Sequence, residues 1–242
     1  MKIAIFGDSY ADCNHLNHVP YKDQAWPNVL AKDYEIDNFA VGSSGLEYSA
    51  MMLNQSDKVA QDAYDKIIFI ASDVRRMYLH PDWHNKHARQ HYFLPEAFGK
   101  FSNDEVRKTT LNYFKYFMHD PILEYRNQLI IKDLRERFAD NILLLKCYGQ
   151  FNGPISNLFD NDMPLYDITS YEDDILNPDL VQHKKWQDCK MNHLTLPHHT
   201  LLYKKIKKWI STSTFSLDKS DLQEVSRKTS TEYAFYNYSY KK

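Results

Sequence analysis

The chain has 242 residues, of which 43% are hydrophobic and 26% charged, with a formal net charge of −2. That is the length of one large domain, or of one domain with a tail, and the composition of a globular protein rather than a collagen-like or wholly disordered one. The lack of a basic excess argues against a protein that wraps nucleic acid. Glycine is the odd number: there are 6, at positions 7, 42, 45, 99, 149 and 153, where an average chain of this length would hold about 17. A chain so poor in glycine keeps it where backbone geometry demands it.

No apolar run approaches the ~20 residues that a membrane span needs. The N-terminal apolar run, residues 1–6, is too short for a signal peptide and leads straight into Gly7-Asp8-Ser9. A cytoplasmic location follows as the expectation. Cys13, Cys147 and Cys189 are odd in number and widely spaced, which fits free thiols. No CxxC pair offers a structural zinc site.

Residues 3–6 form a short apolar run ending at glycine, the pattern of a strand buried on both faces. Residues 26–34 have helical spacing, with Pro27 tolerated in the first turn. A second strand is predicted over 36–41, a helix over 46–64 and a third strand over 66–71. Ser102 and Glu105 make a capping box. It opens a helix with Val106, Tyr113, Phe114 and Phe117 predicted to face inward. Pro121 begins another, with Leu129, Ile130, Leu134 and Phe138 on its inner side. A fourth strand is predicted over 141–147. The stretch 198–210 is amphipathic, with Leu201, Leu202, Ile206, Trp209 and Ile210 opposite a lysine face.

Strand and helix alternate, which predicts an α/β fold: a three-layer α/β/α sandwich around a central parallel sheet, with right-handed crossovers. One domain is expected over 1–210, with a helical or loop insert at about 77–121 and a loop-rich wall over 150–187. A polar, Tyr-rich tail follows over 211–242.

Parallel sheets place their sites at the carboxyl ends of strands. Those ends carry Gly7-Asp8-Ser9, Gly42-Ser43-Ser44, Ala71-Ser72-Asp73 and Tyr148-Gly149. Ser9 follows a buried strand and a glycine, so its hydroxyl can stand exposed at a tight turn. It is either a nucleophile or a helix cap. His193 lies directly before the last helix and is a candidate base for Ser9, or a loop or capping histidine.

Three blocks together resemble the SGNH (GDSL-type) hydrolases. They are Gly7-Asp8-Ser9 behind the first strand, residues 38–44 (NFAVGSS), and Asn192-His193-Leu194-Thr195 with His198 or His199 before an amphipathic helix. The resemblance covers roughly residues 1–75 and 122–210, and it implies a flavodoxin-like sheet. It also implies a serine esterase: Ser9 as nucleophile, His193 as base and acid, and the N–H groups of Ser9 and Gly42 as oxyanion donors. The implied substrate is a small O-acyl ester, such as one on a carbohydrate, and no cofactor is implied.

Two departures stand out. The family's third block is usually Gly-x-Asn-Asp, and its Asn is a further oxyanion donor; here the strand ends in Ala71-Ser72-Asp73-Val74-Arg75-Arg76. The Ser72 hydroxyl is a candidate replacement, while anionic Asp73 repels an oxyanion. Arg75 or Arg76 is placed to offset that charge, to hold an acidic substrate group, or to pair with the Asp and fix the loop. The family's orienting acid stands three residues before the histidine, where this chain has Lys190; Asp188, five residues before, is the nearest carboxylate and one candidate, and a backbone carbonyl orienting the ring of a Ser–His dyad is the other.

His80, His84, His87 and His91 would form one stripe on a helix, but no carboxylate or cysteine completes a metal site, and no metal is expected. The rival to the esterase is a non-catalytic protein of the same fold that binds a partner. The insert at 77–101 or the C-terminal tail would then dock a protein. The variant blocks resemble phage-type members of the family, which would make the protein virion-associated instead of cytoplasmic.

Overall fold

The computed structural model describes residues 1–12, 22–42, 44–55, 63–73, 76–78, 92–93, 104–116, 119–147, 151, 153–165, 194, 196–218 and 220–221. Four strands form a parallel sheet: β1 (Lys2–Phe6), β2 (Glu35–Asn38), β3 (Lys66–Ala71) and β6 (Ile142–Lys146), in the order β2-β1-β3-β6. A separate antiparallel pair, β4 (Met77–Tyr78) and β5 (Tyr92–Phe93), lies within the expected insert. The helices are α1 (Trp26–Leu30), α2 (Leu46–Gln55), α3 (Asp104–Tyr116), α4 (Asp120–Phe138) and α5 (Leu196–Thr212).

Successive side chains of a strand point to opposite faces, so a continuous apolar run feeds two cores at once. Ile3, Ile5, Ile68, Ile70, Leu143 and Leu145 pack on one face against α1 and α5. Ala4, Phe6, Ile67, Phe69, Ile142 and Leu144 pack on the other against α2 and α4. The chain is therefore an α/β protein with helices on both sides of a parallel sheet, as its alternating pattern predicts. Beyond residue 210 the described residues, which reach 221, stay on the body: Leu217 is buried in the first core, and Lys205 pairs with Asp221 at 2.6 Å.

Two residues predicted to face inward are exposed. On α4, Leu134 is buried and Ile130 and Phe138 pack against the core as predicted, but Leu129 is exposed, with Ile122 and Tyr125. Leu123, Asn127 and Ile131 complete the inner side, and the polar Asn127 at a core position is one that an apolar pattern passes over. Tyr113 of α3 is likewise exposed rather than inward, and the side chains of Val106, Phe114 and Phe117 lie outside the described residues. Helix α2 ends at Gln55 as described, short of the predicted residue 64.

Among the described residues no fifth strand covers the outer edge of β6. An open edge presents unpaired backbone groups. Here two side chains take the place of a strand. The Leu144 N–H donates to Asp160 Oδ2 at 2.8 Å and the Asp160 N–H to the Leu144 carbonyl at 2.9 Å. Asn161 accepts from the Lys146 N–H at 2.8 Å and donates back to its carbonyl at 3.0 Å. Arg135 of α4 holds Asp160 in place at 2.9 Å.

Loss of the Asn161 amide leaves a buried N–H and C=O without partners, so Asn161→Ala is expected to cost about 2 kcal/mol in denaturant unfolding. Asp162→Ala next to it, at an exposed site, is expected to stay within about 0.5 kcal/mol. A second expectation concerns acid. Asp33 joins α1 to α5 by accepting from Lys207 Nζ at 2.6 Å and Tyr203 Oη at 2.8 Å. Hydrogen bonds from Lys207 and then Tyr203 hold its carboxyl below the ordinary range. A lowered folded value contributes stability above the unfolded pKa and loses it as pH falls through the folded one. Thermal unfolding should therefore show a shallower acid limb in Asp33→Asn than in the wild type.

Candidate active site

The site is set by strand register. Lys2 to Ile5 pair in order with Glu35 to Asn38, and Ile3 to Phe6 with Lys66 to Phe69. Continued past the strand ends, that register sets Ser9 level with Gly42 on one side and Ser72 on the other. Gly7 makes the break from the strand. Its φ is +149°, and a Cβ there would lie 2.8 Å from Ile70 Cβ, so only glycine fits.

The break frees a donor. The Val41 N–H still donates to the Gly7 carbonyl at 3.0 Å, so the parallel ladder would next pair the Ser9 N–H with the Val41 carbonyl. That carbonyl is taken by the Ser44 N–H instead, at 3.0 Å. Among the described residues neither the N–H nor the hydroxyl of Ser9 makes a hydrogen bond, and the residue is 9% exposed. A nucleophile with an unengaged backbone donor needs this arrangement.

Beneath Ser9 lies a buried ionic network. Asp8 is fully buried. Its Oδ1 accepts the Tyr10 N–H at 3.1 Å, and its Oδ2 accepts Arg76 Nη1 at 2.8 Å and the Ser72 hydroxyl at 3.0 Å. Its backbone carbonyl accepts the N–H groups of Ala11 and Asp12 at 3.0 and 2.9 Å, closing the turn. The Ser44 hydroxyl caps the Gly7 carbonyl at 2.9 Å.

Several candidate residues have other occupations. The Gly42 N–H donates to Asp12 Oδ2 at 2.8 Å, so an internal carboxylate stands on this donor. The Ser72 hydroxyl is no spare oxyanion donor: its one proton is shared between Asp8 and the Ser44 carbonyl, 2.6 Å away, and it accepts from Arg76 at 2.9 Å. Arg76 faces inward with its side chain 10% exposed and bonded to Asp8, so it is not placed to meet substrate. Asp73 is buried, and its carbonyl accepts the Arg76 N–H at 3.2 Å. Arg76 thus has Asp8 as an acid partner. His193, Asp188, Arg75 and Ser43 lie outside the described residues, as do His80, His84, His87 and His91. Among the described residues no cluster of His, Cys, Asp and Glu could hold a metal, and no helix is long and apolar enough to cross a membrane.

The start of α5 is nevertheless tied to the Ser9 turn. Leu194 shares a buried cluster with Tyr10 and Ala11. The Trp26 indole N–H donates to the Tyr10 carbonyl at 2.9 Å, and the Trp26 backbone N–H donates to His199 Nδ1 at 3.3 Å. A small apolar cavity of about 10 Å³ lies nearby, lined by Leu165, Leu194, His198, Leu201, Leu202 and Leu217. It has room for about one water and is no substrate pocket.

Sequence reasoning missed Asp12, the Asp8–Arg76 pair and Gly45. Gly45 had a signal, as one of only 6 glycines: a Cβ there would lie 2.5 Å from the Arg76 carbonyl oxygen. Asp12 and Arg76 had none, because their partners are 30 and 68 residues away.

Gly7→Ala combines backbone strain with a clash against Ile70. It is expected to lower unfolding free energy by about 2–4 kcal/mol, measured in denaturant.

No family model matches the chain, and no curated protein matches its sequence. Among solved structures it is similar to the psychrotrophic esterase EstA from Pseudoalteromonas sp., in a structure inhibited by monoethylphosphonate. The identity is 13% and the TM-score 0.40, over 87% of this chain and 99% of that one. At that level the likeness carries no argument about activity.

Proposed function

We propose that the chain is a serine hydrolase that cleaves a carboxylic ester, with Ser9 as nucleophile. The observation that carries this is the state of Ser9: level with two loop ends, at a turn held by a buried ion pair, with hydroxyl and N–H both unengaged among the described residues. Ser9 Oγ attacks the acyl carbon and His193 takes its proton. The carbonyl oxygen becomes an oxyanion at the Ser9 N–H. The alcohol leaves with the proton from His193, and water then attacks the acyl-enzyme by the same route. Asp188 is the acid assigned to orient His193. The substrate class implied by the resemblance is a small O-acyl group, such as one on a carbohydrate.

Gly42 joins the oxyanion site only when Asp12 lets go. A charge-assisted hydrogen bond of this kind is worth about 1.5–3 kcal/mol. One oxyanion donor contributes about 3 kcal/mol in the transition state. The two nearly balance, so Asp12 competes with the oxyanion for the Gly42 N–H.

A second reading is a non-catalytic binding protein on this fold. The occupied Gly42 N–H favours it, and so does the exposed apolar stripe Ile122, Tyr125 and Leu129.

A fluorophosphonate probe should label Ser9 in the wild type and nothing in Ser9→Ala. Hydrolysis of p-nitrophenyl acetate should fall about a thousandfold or more in Ser9→Ala and His193→Ala. An unlabelled, inert wild type would replace the hydrolase with the binding protein. Asp12→Asn weakens the competing acceptor and should raise kcat up to about tenfold; a fall instead would mean that Asp12 holds Gly42 in place.

A further inference from the structure

We propose that Arg76 is a positioning residue: its guanidinium, closed over the Asp8 carboxylate, sets the turn that carries Ser9. The kinetic part of this inference rests on Ser9 being the nucleophile; the structural part does not.

Three segments meet at one nitrogen. Arg76 Nη1 donates to Asp8 Oδ2 at 2.8 Å, to Ser72 Oγ at 2.9 Å and to the Ser44 carbonyl at 3.2 Å. Those acceptors come from the end of β1, the end of β3 and the loop after β2, the three places level with Ser9. The backbone of Arg76 is fixed as well. Its N–H is bonded to the Asp73 carbonyl, and its own carbonyl lies where only a glycine at 45 leaves room. The guanidinium is therefore carried by a residue whose backbone is tied to Asp73 and packed against Gly45.

The effect passes through Asp8. One carboxylate oxygen faces Arg76 and Ser72, and the other accepts the Tyr10 N–H at 3.1 Å. A carboxylate is planar, so fixing one oxygen aims the other. Its aim sets the peptide between Ser9 and Tyr10, and hence the direction of the Ser9 side chain. An Asp8 without its cation would be a buried lone charge. It would turn towards water and so release Tyr10. An arginine suits the place because its guanidinium holds its donors in a fixed plane, whereas an ammonium acts as a point charge on a flexible stem.

Arg76→Met and Arg76→Lys test this, with Arg126→Met as an exposed control on α4. The first measurement is amide hydrogen exchange by NMR. Exchange at Tyr10, Ala11 and Asp12 should quicken about tenfold or more in Arg76→Met, less in Arg76→Lys, and not in the control, while Ile5 and Phe69 in the strands keep their protection. The second is the kinetics of Ser9 labelling by an uncharged fluorophosphonate. The maximal rate should fall about a hundredfold in Arg76→Met with partial recovery in Arg76→Lys, and the half-saturating concentration should change less than about threefold. Unchanged exchange at Tyr10 overturns the proposal, and so does exchange that quickens equally through the strands. A rise in half-saturating concentration alone also overturns it, since a substrate-holding arginine would behave that way. If the wild type takes no label, the hydrolase reading fails, and the exchange data decide the role of Arg76 by themselves. If Arg76→Met does not fold, Ser72→Ala takes its place. That variant removes a second donor to Asp8 but keeps the ion pair, and its Tyr10 exchange should quicken severalfold or the proposal is lost.

Discussion

The arrangement at the top of the sheet depends on one buried ion pair. Asp8 is removed from water and would be costly there alone. Arg76 neutralises it, Ser72 adds a second donor, and the Tyr10 N–H takes the remaining oxygen. A pair dressed in this way offsets its own desolvation, and it fixes geometry whatever its net contribution to stability. Because Asp8 immediately precedes Ser9, whatever fixes the carboxylate fixes the turn. The sheet supplies the other half of the constraint, since its register brings the loops after β2 and β3 to the same level as that turn.

Backbone hydrogen bonding explains why this turn is suited to chemistry. A buried N–H is almost always paired. Ser9 lies where the ladder between β1 and β2 would have paired it, and the chain spends the matching carbonyl on Ser44 instead. The neighbouring donor, Gly42, is met by an anion from within the protein. A carboxylate on that N–H shows that the position accepts negative charge. In the proposed reaction, an oxyanion at that N–H would meet a competitor already in place.

Elsewhere, side chains also tie elements of the fold together. On one face Trp26 links the Ser9 turn to the start of α5 through its indole and its backbone N–H. On the far side of the sheet Asp160 and Asn161 close the edge of β6 with side-chain amide and carboxylate groups in place of a strand. Both devices satisfy backbone or ring donors that would otherwise be buried alone. Helix α4 buries Asn127 inward and leaves Ile122, Tyr125 and Leu129 in solvent among exposed charged residues such as Glu124, Lys132 and Glu136.

The sequence by itself determined the α/β class, the four parallel strands and the position of Ser9 at a strand end. Those are local signals: apolar runs of strand length, a glycine at the break, and helical spacing in α5. The outward turn of Leu129 was not legible, because the stripe on α4 includes a polar residue that an apolar pattern passes over. Nor were the partners of Arg76, Asp12 and Gly45. A sequence shows which groups are charged or small, but a hydrogen bond across 68 residues exists only once the sheet has brought its strand ends together. The sequence leaves Arg76 open as a partner for Asp73, a holder of substrate or a brace for its loop, and the structure gives it to Asp8. The physical reason is burial: a guanidinium enclosed among three loops binds the acceptors of the protein itself, and only the tertiary structure decides which charges are enclosed.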